Sequence, residues 1–335
     1  MKKTDLSLHY FFLLFVFLLL FIFPATRKVG VDRDSESYAS NISTAIEENF
    51  SNSITGAREP TFFLIVYIAN LLFSDAVRGT FVIYAFIAVF LKLKGINRYS
   101  DNFILSLILY ISFFYILQEF NTIRSGIATG IFLVSYDDIK RKKLSRFLIK
   151  ILIATLFHYS SIVLLIFYFV NVPCIKKNLN KIVILSIVFD VFNLNILVLK
   201  AIASVAPAFI GVKLNIYINM LTSGLFISVS KQRLIFNVCF LFIIFLVENL
   251  KIKKDTDLQT VLDIFKISVS FFFATKCVPV IASRISETSS IFLVLLIPLI
   301  VKHFKRNEQN TITLIITLIC VPVFLAYIKS YYHFY

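Results

Sequence analysis

The sequence predicts an all-α, polytopic integral membrane protein. Three observations support this: apolar residues form long uninterrupted runs, charged residues are few, and basic residues cluster between the runs. Hydrophobic residues make up 59% of the 335 residues and charged residues 16%, with a mean hydropathy of +0.86. Soluble domains typically contain about 45–50% apolar and about 25% charged residues. A large soluble fold is therefore excluded.

Apolar segments long enough to approach a bilayer's thickness predict about ten to twelve transmembrane helices, with possible re-entrant or broken segments. The candidates are 7–24, 60–75, 79–92, 102–118, 122–137, 147–170, 182–206, 233–249, 261–281, 287–302 and 311–329. Segment 147–170 has a polar interruption at 158–161, so it is either one tilted helix or two half-helices. Broken helices occur at membrane depth only where they line a cavity or pack within protein.

The N-terminal apolar run follows two lysines and resembles a signal peptide. It is followed by Pro-Ala-Thr-Arg-Lys rather than by a small-residue cleavage site, so we expect it to stay as the first helix. We expect one membrane domain over 1–335, with 25–59 and 211–233 as candidate extracytoplasmic surface loops. Each of these two segments is too small to fold as a domain of its own.

The net charge of +15 is carried mostly by short loops between the apolar runs. This distribution is typical of cytoplasmic loops that face anionic lipid, so it predicts membrane lipid and no nucleic acid as a partner. The basic clusters are 92–98, 137–146, 251–254 and 302–306. If every early segment spanned once from a cytoplasmic N-terminus, 92–98 and 137–146 would face outside. Either an early segment is re-entrant, or a span between 25 and 91 is miscounted.

The sequence offers no pattern for a metal site or a soluble catalytic motif. Its four cysteines fit neither a zinc site nor a disulfide framework, and no P-loop, G-x-S-x-G or H-E-x-x-H motif is present. We therefore expect no metal and no cofactor, and an ATPase or a zinc protease is excluded.

Charged residues at the edges of the first two spans are candidates for a polar site, because burying a charge in a bilayer costs about 2.5–3.5 kcal/mol on insertion scales. The stretch Arg27–Asp34 follows the first span, and either holds a sugar or phosphate or serves as a solvated interfacial anchor. Glu59 precedes Pro60 at the start of the second span. An acid followed by proline also fits an ordinary helix start, so both readings stay open.

Later in the chain, Arg124 stands two positions before Gly126 of a G-x-x-x-G pair, which permits close helix packing. It fits either a clamp on phosphate or a snorkelling interfacial arginine. His158 lies within a long apolar segment, and it is either a hydrogen-bonded core residue or a general base. Arg284 precedes Glu287 by three residues, so it either forms a local ion pair with Glu287 or is a second phosphate-binding arginine.

These residues, in this order, resemble the EpsG/Wzy family of bacterial polysaccharide polymerases, which make O-antigen, capsule or exopolysaccharide. The matching pieces are Arg27…Gly30-Val31-Asp32…Tyr38, Glu59 at a span start, Ile123-Arg124-Ser125-Gly126-Ile127-Ala128, Phe157-His158-Tyr159-Ser160 and Ala282-Ser283-Arg284-Ile285. The resemblance spans nearly the whole chain. It departs from the familiar pattern at Ser125, where glutamine is more usual, and after Ile285.

The resemblance implies a multi-pass enzyme of the bacterial cytoplasmic (inner) membrane, with undecaprenyl-diphosphate-linked oligosaccharide repeat units as substrate. It implies metal-independent glycosyl transfer at the outer face, and a chain-length regulator protein is a possible partner. The implied catalytic residues are His158, Glu59 and Asp32, and the implied substrate-binding residues are Arg124, Arg284, Arg33, Tyr38 and Arg27.

Two other functions remain open on the sequence. A flippase or transporter for the lipid-linked unit would line a path with polar residues, although no internal repeat is evident. A membrane acyltransferase that decorates the glycan would use His158 as a base, but it would leave Arg124 and the Asp32 segment without a function.

Overall fold

The fold is seen in a computed structural model, which describes residues 3–47, 59–205, 215, 218–219, 229–249 and 255–331. Within these ranges every regular secondary-structure element longer than one residue is a helix, which confirms the all-α prediction. The α-helices are α1 (Lys3–Thr26), α2 (Ser35–Glu47), α3 (Pro60–Leu72), α4 (Ala76–Tyr99), α5 (Phe103–Tyr110), α6 (Ile123–Val134), α7 (Tyr136–Lys140), α8 (Leu144–Phe157), α9 (Pro173–Val191), α10 (Leu194–Val205), α11 (Lys231–Asn249), α12 (Thr256–Thr275), α13 (Pro279–Ser289), α14 (Leu293–Val301) and α15 (Arg306–Tyr331).

Three helices of other types interrupt this order. A π-helix occupies Ile111–Asn121, and 3₁₀ helices occupy Tyr159–Asn171 and Ser290–Phe292. The π-helix is an unusually long example of a rare form that is frequently found at functional sites.

Seven helices in the described ranges are long and apolar enough to cross a membrane, or eight if one bent pair counts as a span. The chain is therefore a multi-pass membrane protein. The predicted count of ten to twelve is higher because short apolar segments were counted as full spans. Segment 60–75, for example, forms only the 13-residue α3.

The chain divides into two compact units. The first comprises Met1–Asp138, Ser145–Ile162 and Ile291–Tyr335, and the second comprises Ile139–Leu144 and Val163–Ser290. Of the two predicted surface loops, 25–59 contains α2, while its residues 48–58 lie outside the described ranges. Most of 211–233 and the whole basic cluster 251–254 also lie outside the described ranges. The predicted single domain and the placement of both loops stay predictions.

In the first unit, three contacts bring several chain segments to one end. His9 and the Asn97 side chain are 3.0 Å apart, so α1 and α4 run antiparallel. The Tyr99 hydroxyl donates to the carbonyl of Val134 at 3.3 Å, at the end of α6. A third contact joins Lys302 and Asp101, whose charged atoms are 3.2 Å apart. The basic clusters 92–98 and 302–306 and the start of 137–146 therefore lie at the same end as the N-terminus.

This arrangement resolves the conflict in the predicted topology. Because α1 is followed across the unit by the antiparallel α4, the short α3 is the miscounted span. A helix of 13 residues is about 20 Å long, which is less than the thickness of a hydrocarbon core of about 30 Å. With α3 removed from the count, the basic clusters no longer face the side opposite to the N-terminus.

The predicted interruption of segment 147–170 is present. The α-helix α8 ends at Phe157, and a 3₁₀ helix starts at Tyr159. Beyond it, the pair formed by Tyr159–Asn171 and α9 is bent by 111°, which marks a broken span or a re-entrant loop.

In the second unit, α9 and α11 pack against α12, and α12 packs against α13. Two ion pairs lie within it: the Lys266 ammonium is 2.6 Å from the Glu248 carboxylate, and the Lys276 ammonium is 2.6 Å from the Asp190 carboxylate. Asp190, a charge inside a predicted span, is thus accounted for by an ion pair.

Candidate functional site

The segment after α1 is fixed by its local backbone conformation and by hydrogen bonds between its backbone and the Asp32 side chain. Gly30 has a φ of +91°, in the left-handed region that favours glycine. The Asp32 carboxylate accepts hydrogen bonds from the backbone N–H groups of Asp34 and Ser35 at 3.1 and 2.9 Å, and so caps the start of α2. Burial raises the pKa of Asp32, against the opposing effect of the nearby Arg27 charge.

Arg27 is a fully enclosed cation. Its Nε is 3.1 Å from the Asp32 carboxylate, and its Nη1 donates to the Glu119 carbonyl at 3.0 Å. Its guanidinium also lies over the Phe81 ring, 3.9 Å from the centroid, which is a cation–π contact. Arg27 and Asp32 therefore lie together and connect α1, α2 and the π-helix, with side chains that are 0% exposed. Their predicted contact with substrate stays a prediction.

Glu59 and Arg124 form the centre of a more accessible cluster. Glu59 is the N-cap of α3 with Pro60 at the first helical position, as the helix-start pattern indicates. Its Oε2 is paired with Nη1 of Arg124, on the first turn of α6. The Arg124 side chain is 29% exposed, whereas the Glu59 side chain is 6% exposed. The guanidinium is therefore the part of this pair that a ligand can reach.

His158 completes this arrangement from the break after α8. Its Nδ1 is 3.2 Å from Oε1 of Glu59, and the backbone N–H of Tyr159 donates to the same oxygen at 3.4 Å. An ionised carboxylate can only accept, so Nδ1 carries the hydrogen of this bond and, in the neutral imidazole, Nε2 carries the lone pair. We call Tyr38, Glu59, Arg124 and His158 the Glu59 cluster.

The Glu59 carboxyl is ionised throughout the physiological range. Burial opposes its ionisation, but the hydrogen bond from His158 and the charge of Arg124 outweigh burial and lower the pKa of Glu59 to about 2. Glu59 is consequently a weak base that stays ionised and accepts hydrogen bonds, which suits it to orient His158 and Arg124.

Tyr38 forms one wall of the cluster. The Arg124 guanidinium lies 5.8 Å from the centroid of the Tyr38 ring and 5.9 Å from that of Phe62. Both rings belong to an apolar core that also includes Ile123 and Ile127 of α6. The flat guanidinium is thus held on its apolar side, while its charge is met by Glu59.

The glycines of the G-x-x-x-G pair permit the predicted close packing, each against a different neighbour. A Cβ on Gly126 would meet the Gln118 carbonyl of the π-helix at 2.5 Å, and one on Gly130 would meet Leu91 of α4 at 2.8 Å. Gly126 therefore lets the first turn of α6, which carries Arg124, pack directly on the π-helix.

The buried ion pair of Lys92 and Glu119 was not identified from the sequence. Lys92 of α4 contacts Glu119 of the π-helix, both side chains are 0% exposed, and the Tyr110 hydroxyl donates to the same carboxylate at 2.7 Å. The sequence assigned Lys92 to an exposed basic cluster. Lys92 lies seven residues before the end of its helix, and this position could have indicated that the lysine is buried rather than exposed.

Two predicted residues lie elsewhere. Arg33 is exposed, and its guanidinium lies over the ring of Tyr331, 5.1 Å from the centroid. Arg284 belongs to the second unit, where both it and Arg233 are 3.7 Å from the Glu287 carboxylate. The local ion pair expected for Arg284 is present, and its role as a phosphate ligand stays a prediction.

The fold and the cluster define a multi-pass α-helical membrane protein with an accessible arginine, a carboxylate and a histidine at the end of one unit. The model of the EpsG family matches residues 10–335, and the chain belongs to this family. Membership supports a polymerase-like role in polysaccharide biosynthesis, and it confirms the resemblance found in the sequence. No curated protein and no solved structure matches the chain significantly.

Proposed function

We propose that the chain polymerises oligosaccharide repeat units carried on undecaprenyl diphosphate, by glycosyl transfer at the outer face of the bacterial cytoplasmic membrane. The observation that carries this proposal is the convergence of Glu59, Arg124 and His158 at the end of the first unit opposite to the basic clusters. Basic loops favour the cytoplasmic side, so this cluster would face outward.

Arg124 is proposed to bind the diphosphate. It stands on the first turn of α6, where the helix dipole favours anions and disfavours an uncompensated cation. Glu59 supplies the compensating charge in the described structure. A diphosphate that takes the place of Glu59 would meet both a planar guanidinium and the helix terminus, and an arginine matches phosphate with two parallel hydrogen bonds.

His158 is proposed to be the general base. Glu59 holds its Nδ1, so that Nε2 is free to accept the proton of the acceptor hydroxyl. The hydroxyl oxygen bonds to the anomeric carbon of the donor glycan, and the bond from that carbon to the diphosphate breaks. The bonding electrons and negative charge leave with the lipid diphosphate, which Arg124 stabilises, and the proton passes to His158.

The other predicted residues take supporting roles in this proposal. Arg27 and Asp32 are enclosed and hold the start of α2, so that Tyr38 meets Arg124. Arg33 is exposed and remains a candidate for contact with sugar. Arg284 remains a candidate for a phosphate ligand in the second unit.

Reconstitution with the lipid-linked repeat unit tests the proposal. Arg124→Ala should abolish long polymer while membrane insertion and the single-repeat substrate persist. Arg98→Ala is a matched control, because Arg98 is an exposed arginine paired with Asp137 near the other end of the unit. Normal chain length in Arg124→Ala would overturn the proposal. Movement of the unit across the bilayer, or an acylated sugar, would favour the transporter or the acyltransferase instead.

A further inference from the structure

Tyr84 of α4 places a hydroxyl beside the Glu59 cluster. Its ring belongs to the same apolar core as Tyr38 and Phe62, and the residue is only 1% exposed. The hydroxyl interacts electrostatically with Tyr38, Glu59 and Arg124. None of the predicted site residues is on α4, and nothing in the sequence singles out this tyrosine.

The Tyr84 hydroxyl has no hydrogen-bond partner among the described residues. Burial of a hydroxyl without a partner destabilises a fold, and a phenylalanine would pack in the same space without that cost. Other tyrosine hydroxyls of the first unit are satisfied: Tyr110 donates to Glu119 and Tyr115 donates to the Leu20 carbonyl. The Tyr84 hydroxyl therefore needs an explanation other than the stability of the fold.

Two further polar atoms of the cluster, one donor and one acceptor, share this property. Nε of Arg124 and Nε2 of His158 are also buried without a partner in the described structure. The three atoms thus belong to residues on α4, on α6 and after α8 that each interact with Glu59. Native proteins leave few buried polar groups unpaired, so each such group calls for an explanation, for example a catalytic role or a bound ion.

We propose that Tyr84 is a substrate-binding residue whose hydroxyl donates a hydrogen bond to the anionic oxygen that Arg124 binds. The inference rests on the proposed function, because the oxygen belongs to the diphosphate of the lipid carrier. Binding then exchanges the Glu59 carboxylate for a diphosphate oxygen on Arg124, and this oxygen is shared with Tyr84. The hydroxyl recognises the phosphate and takes no part in the proton transfer to His158.

Tyr84→Phe separates this role from a structural one, because it removes one buried atom that makes no hydrogen bond in the described structure. The expected result is an unchanged or higher thermal midpoint of the purified protein. Its affinity for undecaprenyl diphosphate should fall by about ten- to a hundredfold, the range for one hydrogen bond to a charged group. The affinity is measured in nanodiscs by titration with undecaprenyl diphosphate, with undecaprenol as the uncharged comparison.

Tyr99→Phe is the matched control. Tyr99 lies on the same helix, but its hydroxyl donates to the Val134 carbonyl at the other end of the unit. This variant should lose thermal stability and retain affinity for the diphosphate.

The outcomes distinguish the two proposals. If the wild-type protein binds the diphosphate and Tyr84→Phe binds it equally well, the role of Tyr84 is wrong and the proposed function stands. If the wild-type protein shows no preference for the diphosphate over undecaprenol, the proposed diphosphate site and the role of Tyr84 both fall. A lower thermal midpoint with unchanged affinity would make Tyr84 a structural residue.

Discussion

Two ion pairs of the first unit differ in what surrounds them. Lys92 and Glu119 are both fully enclosed, and a tyrosine hydroxyl also donates to the carboxylate. In the other pair Glu59 is enclosed, while the Arg124 side chain is 29% exposed. An enclosed pair with added hydrogen bonds fixes the packing of two helices. A pair with one accessible cation can exchange its carboxylate for another anion.

The largest expected effect comes from breaking the enclosed pair. Lys92→Met leaves the Glu119 carboxylate buried without its cation, which typically costs about 3–5 kcal/mol. We expect loss of folded protein from the membrane, measured by fluorescence-detected size-exclusion chromatography. Combining Lys92→Met with Glu119→Gln removes both charges and should restore folded protein. If the double variant is as depleted as the single one, the charge is not the cause.

Arg124→Lys tests the accessible pair without removing its charge. A lysine keeps the attraction to Glu59 but cannot form two parallel hydrogen bonds with a diphosphate. We expect an unchanged thermal midpoint and a loss of polymerisation of about tenfold or more, the cost of one charge-assisted hydrogen bond. Polymer length and rate on gels measure the effect. Full activity would show that a point charge is sufficient.

Gly126→Ala tests how the packing of α6 places Arg124. The added Cβ would meet the Gln118 carbonyl at 2.5 Å, so α6 must move away from the π-helix. We expect a fall in polymerisation that exceeds the fall in folded protein. Gly130→Ala is the control, because its Cβ would meet the Leu91 side chain of α4 instead. Equal losses of activity per folded protein in the two variants would contradict this role.

The smallest effect is the pH dependence of the Glu59 contacts. The pKa of Glu59 falls from an ordinary value of 4.5 to about 2 on folding, so its ionised form stabilises the folded protein. This stabilisation is complete above pH 4.5 and is lost as the pH falls towards about 2. The difference in thermal midpoint between wild type and Glu59→Gln should shrink over that interval. A difference that stays constant between these two pH values would exclude this ionisation.

The sequence predicted the all-α fold and the membrane spans wherever an apolar run exceeded the length of a span. It overcounted where a run such as 60–75 is only long enough for a half-helix, since composition does not show whether a short helix crosses the bilayer. It also placed Lys92 with exposed lysines, because nothing local indicates that Glu119 meets it from another helix.

For the site, the sequence identified Glu59, Arg124 and His158 individually, as charged or titratable groups that a bilayer disfavours. It could not pair them, because the contacts with Glu59 join residues 65 and 99 positions away in the chain. The role proposed for Tyr84 could not be predicted, for a further reason. A tyrosine in an apolar helix is ordinary, and only the packed structure shows that its hydroxyl has no hydrogen-bond partner among the described residues.

The π-helix also limits how this protein can change over evolution. One residue gained or lost between Tyr110 and Thr122 would change the helical rotation that leads into α6, and so would turn Arg124 away from Glu59. The π-helix Ile111–Asn121 fits the present number of residues between α5 and α6. Within it, Glu119 is held in place by Lys92 and Arg27. Relatives should therefore tolerate changes of residue type in this segment far better than insertions or deletions.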